Sequence, residues 1–328
     1  MQPVRWGIVG TGRMATLVAG EIRILQSQGA KLAAVASRSP DAARAFSQQC
    51  GAARCFGDAR ALARDPDIDA VYIATPHTLH GEGMLEMIAA GKPTLCEKPF
   101  TINAMEATRV VEAARRGKVF VMEAMWSRFL PAIAAVRSIV ASGAIGRVQM
   151  MVGGGAFMPD RSTDHYLLNL ALGGGVLLDA GVYLLSLTSM LLGEPTRIQA
   201  SGRLGATGVD EQDAIVLEHD RGATALLYIS LHARRSPDLE ILGDAGRLRI
   251  GSPVFKPSRL TLWDRDGVES VQDFPIEGSG YGYQIREVND AVRTGRRESL
   301  VMPLSESLSI MRTMDTIRRQ IGLVYPGE

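Results

Sequence analysis

Short apolar runs alternate with helical segments along residues 1–125. The runs are apolar over their whole length, which is typical of strands buried on both faces of a parallel sheet. Helices between such strands predict a doubly wound α/β domain. The expected strands cover residues 4–10, 32–37, 70–75, 93–97 and 119–124, and the expected helices cover residues 12–28, 79–90 and 103–116.

The pattern changes after Phe129. The later segments alternate or are rich in β-branched residues, with Gly and Asp between them, and therefore predict one open, mostly antiparallel sheet. Strands are expected over residues 197–204, 213–220, 223–233 and 259–265, and helices over residues 131–142, 172–195, 284–294 and 305–321. We expect two domains, residues 1–125 and 126–328, since one hydrophobic core rarely serves so long a chain.

Composition excludes several classes of function. The 328 residues are 46% hydrophobic and 22% charged, as in ordinary globular proteins. With 36 basic and 35 acidic residues the net charge is +1, so neither nucleic acid nor a membrane surface is an expected partner. No apolar run reaches the roughly 18 residues of a membrane span. Met1 leads almost directly into a strand, so no signal peptide is expected.

The cysteines and histidines predict neither a disulfide framework nor a metal site. Cys50, Cys55 and Cys96 are odd in number and lack paired spacing. His77 and His80 could supply two metal ligands, but no third ligand of suitable spacing follows them. A reducing, cytoplasmic compartment is therefore expected.

A glycine-rich turn separates the first strand from the first helix. In such a βα unit, the first glycine permits a tight turn and the second lets the backbone approach a pyrophosphate. The small Ala15 lets the helix pack closely on the strand, and the helix N-terminus offers its amides to the phosphates. The predicted dinucleotide contacts in this turn are Gly10, Thr11, Gly12, Arg13 and Met14.

The end of the second strand indicates which dinucleotide binds. NAD-specific proteins usually carry Asp or Glu here for the ribose hydroxyls, whereas this chain has Ser37 and Arg38. A hydroxyl and a guanidinium suit a 2′-phosphate, which a carboxylate would repel. We therefore expect NADP, with NAD as the alternative if Arg38 is only a surface residue. Residues 1–125 are then an NADP-binding Rossmann domain.

A charged motif, Glu97-Lys98-Pro99, stands where an apolar strand ends. Ligands of open α/β sheets bind beyond the carboxyl ends of the strands, where Glu97 and Lys98 should lie. Pro99 restricts the backbone directly after the lysine, so Lys98 would be aimed rather than mobile. A solvated loop between strand and helix is the alternative interpretation.

These motifs resemble those of the Gfo/Idh/MocA oxidoreductases. The glycine turn, the segment at residues 74–80 and the Cys-Glu-Lys-Pro motif at residues 96–99 carry the resemblance, which covers essentially the whole chain. Segments at residues 122–129, 173–183, 241–250 and 298–328 look most like the branch of dimeric dihydrodiol dehydrogenases and NADP-dependent D-xylose dehydrogenases. The resemblance implies that residues 126–328 form a substrate-binding and oligomerisation domain.

The resemblance also implies the catalytic residues Lys98, Asp179 and Tyr183. Much of the family has His where this chain has Tyr183. We hypothesise that the cofactor accepts hydride from a substrate alcohol, that Lys98 or Tyr183 takes the hydroxyl proton, and that Asp179 orients the lysine or a substrate hydroxyl. Asp179 and Tyr183 are four positions apart and would share one face of a helix. A helix cap and a core aromatic are their structural alternatives.

Further contacts are expected from other segments. The predicted cofactor-binding set is completed by Thr75, Pro76, His77, His80, Glu97, Lys98, Trp126 and Arg128. The predicted substrate-binding residues are Lys98, Phe157, His165, Asp179, Tyr183 and Trp263. Asp160, Arg161 and Asp164 could contact sugar hydroxyls or could form a solvated loop.

The expected activity is NADP-dependent hydride transfer at a secondary alcohol or hemiacetal carbon of a sugar or trans-dihydrodiol. The low aromatic content, 5%, mildly favours a sugar. One alternative is reduction of a keto-sugar by NADPH. Another is a non-catalytic NADPH-sensing protein, which would not need Lys98, Asp179 and Tyr183. The family also implies a homodimer or higher homo-oligomer, formed through the open face of the second sheet.

Overall fold

A computed structural model describes residues 2–158 and 165–328, with the side chains of residues 236 and 237 left out. The candidates Asp160, Arg161 and Asp164 lie outside the described residues. Packing divides the chain into two units. The first unit contains Met1–Trp126 and Glu277–Leu308, and the second contains Ser127–Ile276 and Ser309–Glu328.

The first unit contains a six-stranded sheet in the order β3-β2-β1-β4-β5-β6. All its described strand pairs are parallel, and β1, β2 and β4 are almost entirely buried. This confirms the predicted doubly wound sheet, whose order is that of dinucleotide-binding folds. The strands are β1 Val4–Val9, β2 Ala30–Ala36, β3 Arg54–Phe56, β4 Ala70–Ile73, β5 Thr94–Cys96 and β6 Val121–Glu123.

The second unit contains an eight-stranded sheet in the order β14-β13-β12-β11-β7-β10-β9-β8. Only the β7–β10 pair among the described pairs is parallel, which confirms the predicted mostly antiparallel sheet. The strands are β7 Val148–Ala156, β8 Pro195–Leu204, β9 Asp210–His219, β10 Thr224–Ser230, β11 Arg235–Gly243, β12 Gly246–Ile250, β13 Arg259–Trp263 and β14 Glu269–Asp273.

Several helices begin where the sequence places a capping residue. Ser39, Asp58 and Asn103 each accept a hydrogen bond from a backbone amide three residues later, which satisfies one of the donors left open at a helix N-terminus. The helices are α1 Arg13–Ile24, α2 Pro40–Cys50, α3 Ala59–Ala63, α4 His80–Ala89, α5 Ala104–Gly117, α6 Pro131–Ala141, α7 Val182–Leu192, α8 Gly282–Thr294 and α9 Leu304–Ile321.

The segment Leu170–Leu192 is more hydrophobic than the sequence analysis predicted. Leu170–Leu192 has a mean hydropathy of 1.7 over its most apolar window and is long enough to cross a membrane, whereas no such run was expected. A search for unbroken apolar runs misses it because Gly and Asp interrupt the segment. Of that window, 72% is buried inside the protein, as in the core helix of a globular domain.

The chain returns to the first unit after the second sheet. The Trp6 indole on β1 donates to Asn289 Oδ1 on α8 at 2.9 Å. Glu21 on α1 is 4% exposed and accepts from the Ser279 amide at 2.7 Å. A buried indole N–H and a buried carboxylate both need partners, and Glu277–Leu308 supplies them. The sequence predicted one boundary, at 125/126, and this return was not foreseen.

Candidate functional site

The predicted cofactor residues of the first unit follow one row of the parallel sheet. At the carboxyl ends of the six strands, one residue of each strand pairs with one residue of the neighbouring strand, and these six residues form a row across the sheet. The next residues along the chain include Ser37 after β2, Gly10 after β1 and Glu97 after β5, so the sheet brings these positions to one edge. The row consists of Phe56, Ala36, Val9, Ile73, Cys96 and Glu123.

The glycine turn has the geometry that a pyrophosphate requires. Gly10 has a φ of +111°, and a Cβ there would lie 2.5 Å from the Ala74 carbonyl oxygen, so only glycine fits. A Cβ on Gly12 would meet no atom within 4 Å among the described residues, which leaves its backbone open to a ligand. In the described part of the chain, no side chain caps α1 and no acidic residue lies in its first turn. An anionic phosphate therefore fits this helix N-terminus.

The pair after β2 presents a hydroxyl and a cation. Ser37 is half-buried, and its Oγ accepts from the Ser39 amide at 3.4 Å. Arg38 is exposed and forms no ion pair with a carboxylate of the described residues. Arg44, farther along α2, pairs with Asp41 at 3.5 Å and provides a contrast. Arg38 is thus placed as a cation that a bound phosphate could engage.

Lys98 is half-buried and lies among buried residues. Its neighbours Glu97 and Pro99 are buried, and the Lys98–Pro99 peptide is cis. The Tyr72 hydroxyl donates to Glu97 Oε1 at 2.5 Å. Burial, with the nearby Glu97 and Glu123 carboxylates, raises the pKa of Cys96 well above its usual value, so this thiol stays neutral. Sequence analysis missed Tyr72, although a hydroxyl in an otherwise apolar strand signals a buried hydrogen bond.

His80 links the two predicted cofactor loops. Its ring is fully buried, with Nδ1 2.7 Å from the Pro99 carbonyl oxygen and Nε2 3.0 Å from the Thr75 carbonyl oxygen. Burial lowers the pKa of His80, against the two carbonyl acceptors, which raise it. Pro76 and His77 are half-buried in the same loop, and their cofactor contacts stay predictions.

Trp126 and Arg128 are both buried. Trp126 is 3% exposed and stacks on Tyr281 with a centroid distance of 4.3 Å. Arg128 is 1% exposed, and its Nε and Nη2 donate to the Ser186 hydroxyl and carbonyl oxygens, each at 2.7 Å. The guanidinium therefore ties the turn Trp126–Phe129 to α7. Cofactor contact by either residue stays a prediction.

In the second unit, Asp179 and Tyr183 lie in successive turns rather than in one regular helix. Asp179 is half-buried in a π-helical turn, Leu177–Gly181, and Tyr183 is in the first turn of α7. Single π-helical turns occur frequently at functional sites. The Tyr183 ring is 9% exposed and lies 5.6 Å from the Phe255 ring.

A tyrosine that sequence analysis missed connects two predicted residues. The Tyr166 hydroxyl donates to Asp179 Oδ1 at 3.3 Å, and its ring stacks on His165 at 4.9 Å. His165 itself accepts from the Leu167 amide at 3.3 Å. The predicted residues His165 and Asp179 are therefore brought together through Tyr166. Phe157 directly follows β7, and its amide donates to the Ser230 carbonyl at 2.9 Å.

Trp263 lies on the other face of the second sheet from the π-helical turn. A Cβ on Gly181 would lie 3.0 Å from Ile229 of β10, so the turn packs on that face. The cross-strand pairs of β7, β11 and β12 place Leu260 of β13 on this same face of the sheet. Trp263 is three residues farther along β13 and so points to the opposite face, where Arg247 stacks 3.8 Å over its ring. Within this unit, Trp263 is thus separated from Asp179 and Tyr183.

Among the described residues, no cluster of three or more His, Cys, Asp or Glu side chains could hold a metal ion.

Two family models match the chain. Residues 4–125 match the model for an oxidoreductase family with an NAD-binding Rossmann fold, and residues 133–249 match the Gfo/Idh/MocA C-terminal domain.

The chain is similar over its full length to curated enzymes. It is 32% identical over 338 residues to trans-1,2-dihydrobenzene-1,2-diol dehydrogenase from Bos taurus, covering 99% of each chain. It is 31% identical over 335 residues to the enzyme of that name from Homo sapiens, again covering 99% of each.

Solved structures share the fold. A 3-ketoreductase from Actinomadura kijaniata, in complex with NADP and TDP-benzene, is 26% identical with a TM-score of 0.85, covering 98% of each chain. An aldose-aldose oxidoreductase from Caulobacter crescentus is 23% identical with a TM-score of 0.88, covering 97% of each chain, and shows the likeness of fold alone.

Proposed function

Because the chain belongs to the Gfo/Idh/MocA oxidoreductase family, we propose that it is an NADP-dependent dehydrogenase of a sugar or a trans-dihydrodiol. Hydride passes between the nicotinamide and a secondary alcohol or hemiacetal carbon of that substrate. The curated relatives named above are dihydrodiol dehydrogenases. A hydroxylated ring carbon is therefore the reacting group that we assign to the substrate.

One observation carries this proposal. Gly10, Ser37 and Glu97-Lys98 follow a single row of register at the carboxyl ends of the parallel strands. A cofactor laid across this edge has its phosphates at the helix N-terminus. Lys98 then follows the strand β5, on the far side of the β1–β4 crossover point where ligands of open sheets bind. A phosphate turn and a cationic side chain on one edge support redox chemistry on a hydroxyl group.

The proposed mechanism assigns a task to each of three side chains. When bound, the nicotinamide ring supplies the acceptor or donor of the hydride. Lys98 or Tyr183 holds the proton of the reacting hydroxyl, which it takes up during oxidation and returns during reduction. Asp179 orients a substrate hydroxyl, and the Tyr166 hydroxyl holds one oxygen of that carboxylate. Burial of Tyr183 keeps bulk water from competing for the proton.

Turnover with NADP⁺ tests the proposal. The purified protein is expected to produce reduced nicotinamide with at least one member of a panel of aldoses, inositols and a trans-dihydrobenzenediol. The rise in nicotinamide absorbance measures the rate for each substrate. No rise with any compound, although NADPH binds, would contradict oxidation of these substrates.

Reduction of a keto-sugar by NADPH is the second candidate. It is supported by the likeness to the Actinomadura 3-ketoreductase, which was solved with NADP and a nucleotide ligand. The same three side chains would act in this reduction, in which Lys98 or Tyr183 gives its proton to the forming alkoxide. Loss of NADPH absorbance with a keto-sugar, but not with the alcohols above, would favour this direction.

Replacing Arg38 by Ala is expected to raise the KM for NADP⁺ by about tenfold or more and to leave the KM for NAD⁺ within about twofold. A charge-assisted contact to the 2′-phosphate is lost, and NAD⁺ has no such phosphate. Steady-state rates with both nucleotides give the two KM values. Arg44→Ala is the matched control, because Arg44 is an exposed arginine of the adjoining helix. Equal changes for both nucleotides would contradict the assignment of NADP.

We also propose that the protein forms a homo-oligomer through the open face of the second sheet. The open-face cluster consists of Met150, Val152, Val216, Leu226 and Tyr228. Leu226 pairs directly with Val152 on one side and Val216 on the other, and Leu226 and Val152 are 37% and 36% exposed. A second copy turned by a two-fold rotation would cover this apolar surface with itself. Beyond Val152, Glu240 and Arg249 continue the row and supply opposite charges for such a contact.

We assign the protein to the cytoplasm, on the basis of its thiols. Cys50 and Cys96 are buried and Cys55 is exposed, and all three are free. Burial raises the pKa of Cys50 and Cys96 above the usual value for a thiol, so neither is a reactive thiolate. Free thiols of this kind are typical of proteins in a reducing compartment.

A further inference from the structure

Tyr72 carries the only hydroxyl group in the buried strand Ala70–Ile73. Its side chain is fully buried, so it cannot touch a bound substrate or cofactor. A hydroxyl buried in a parallel sheet destabilises the fold unless it is hydrogen-bonded, and phenylalanine would fill the same space without that requirement. The observed acceptor is Glu97 Oε1, at 2.5 Å.

The hydrogen bond reaches the residue that precedes Lys98. Glu97 is 5% exposed, and its second oxygen, Oε2, lies 3.3 Å from the Lys98 backbone nitrogen, which donates to it. The Tyr72 hydroxyl thus holds one oxygen of a carboxylate whose other oxygen holds the backbone of Lys98. The strands fix this arrangement, because Tyr72 pairs with Leu95 and Ile73 with Cys96 in the sheet.

Tyr72 acts only as a donor in this position. Burial and the Glu97 charge raise the pKa of Tyr72 well above its usual value, so the phenol keeps its proton over the working range of pH. A hydrogen bond donated to the ionised form of a carboxyl group favours that form.

We propose that Tyr72 is a positioning residue that acts through Glu97 to keep a fixed negative charge beside Lys98. The inference rests on the proposed role of Lys98 in proton transfer and goes beyond it, because it assigns the orientation of the lysine to a side chain on a different strand. Tyr72 itself takes no part in the chemistry.

Tyr72→Phe tests the inference by removing one oxygen atom. We expect kcat to fall by about tenfold while the KM values for substrate and cofactor change by less than about twofold. On the acidic side, the pH at which kcat falls should rise, because the Glu97 carboxylate has lost a donor that favours its ionised form. Steady-state kinetics over a range of pH with saturating cofactor give both results. A profile that superimposes on that of the unaltered enzyme would overturn the inference.

Tyr325→Phe is the matched control for loss of a buried phenol. Tyr325 is 1% exposed and donates to the Gly174 carbonyl at 2.6 Å in the second unit. This variant should lose stability in thermal unfolding without moving the pH profile. An equal pH shift in both variants would show a general effect of destabilisation and would also overturn the inference.

Glu97→Gln keeps the inference testable if Tyr72→Phe does not fold. Its neutral amide should lower kcat and remove the dependence on Tyr72, so that adding Tyr72→Phe changes kcat by less than about twofold. Additive losses in the double variant would mean that Tyr72 does not act through Glu97. Lys98→Met distinguishes failure of the inference about Tyr72 from failure of the proposed function. If Lys98→Met is inactive and Tyr72→Phe is unaffected, the inference fails alone, and if Lys98→Met is active, the proposed function fails with it.

Discussion

Lys98→Met is expected to lower kcat by roughly a thousandfold while the protein still binds NADP(H). Proton transfer by a positioned group contributes about 10²–10⁴-fold, and in the proposed mechanism the same lysine would also supply a positive charge near the reacting oxygen. Methionine keeps the apolar stem of the half-buried side chain and removes only the ammonium group. Single-turnover and steady-state rates measure the loss, and NADPH fluorescence titration measures binding.

Lys31→Met is the matched control, because Lys31 is an exposed lysine on β2 of the same unit. Its variant should retain full activity. Full activity of Lys98→Met would contradict the assignment of the catalytic lysine. Loss of nucleotide binding together with activity would instead show that the ammonium group serves the cofactor site.

Leu226→Arg is expected to convert the proposed oligomer to a monomer. Leu226 lies at the centre of the open-face cluster, between Val152 and Val216. An arginine there would place an unpaired charge in an apolar contact, and each copy of a two-fold interface would carry it. Sedimentation velocity at micromolar concentration should show a dimer or larger species for the unaltered protein and a monomer for the variant.

Ile24→Arg serves as the control for a new surface charge. Ile24 is 61% exposed at the end of α1, in the first unit, and its replacement should leave the sedimentation coefficient unchanged. The open-face proposal fails if the unaltered protein sediments as a monomer at micromolar concentration, or if Leu226→Arg remains oligomeric.

The first sheet could be predicted almost completely, because its central strands are buried on both faces and are apolar at most positions. Only the edge strand Arg54–Phe56 was missed, since three residues at an edge carry too little pattern. The central strand β7 of the second sheet was missed for another reason. Its three consecutive glycines argue against a strand, yet a Cβ on Gly153 or Gly154 would lie 2.4 Å or 2.1 Å from a neighbouring carbonyl oxygen. Close approach of the backbones, rather than propensity, decides the structure there.

The placement of the candidate residues at the strand ends was predictable where one motif occupies one turn. The glycines and Glu97-Lys98 follow strand ends that the apolar runs define. Tyr72 and Tyr166 could not be found in this way, because their hydrogen bonds join residues 25 and 13 positions apart. Trp263 was proposed from its residue type, and only the register of four strands shows which face it occupies.

The return of Glu277–Leu308 to the first unit bears on how the chain folds during synthesis. The six parallel strands all leave the ribosome before Ser127–Ile276 is made. The partners of Trp6 and Glu21 arrive only after that long stretch. Domains generally fold as units, starting from the N-terminus. Here the first sheet emerges early, but the unit that contains it is complete only after Glu277–Leu308 has been made, so the nucleotide-binding unit and the unit that interrupts it mature together.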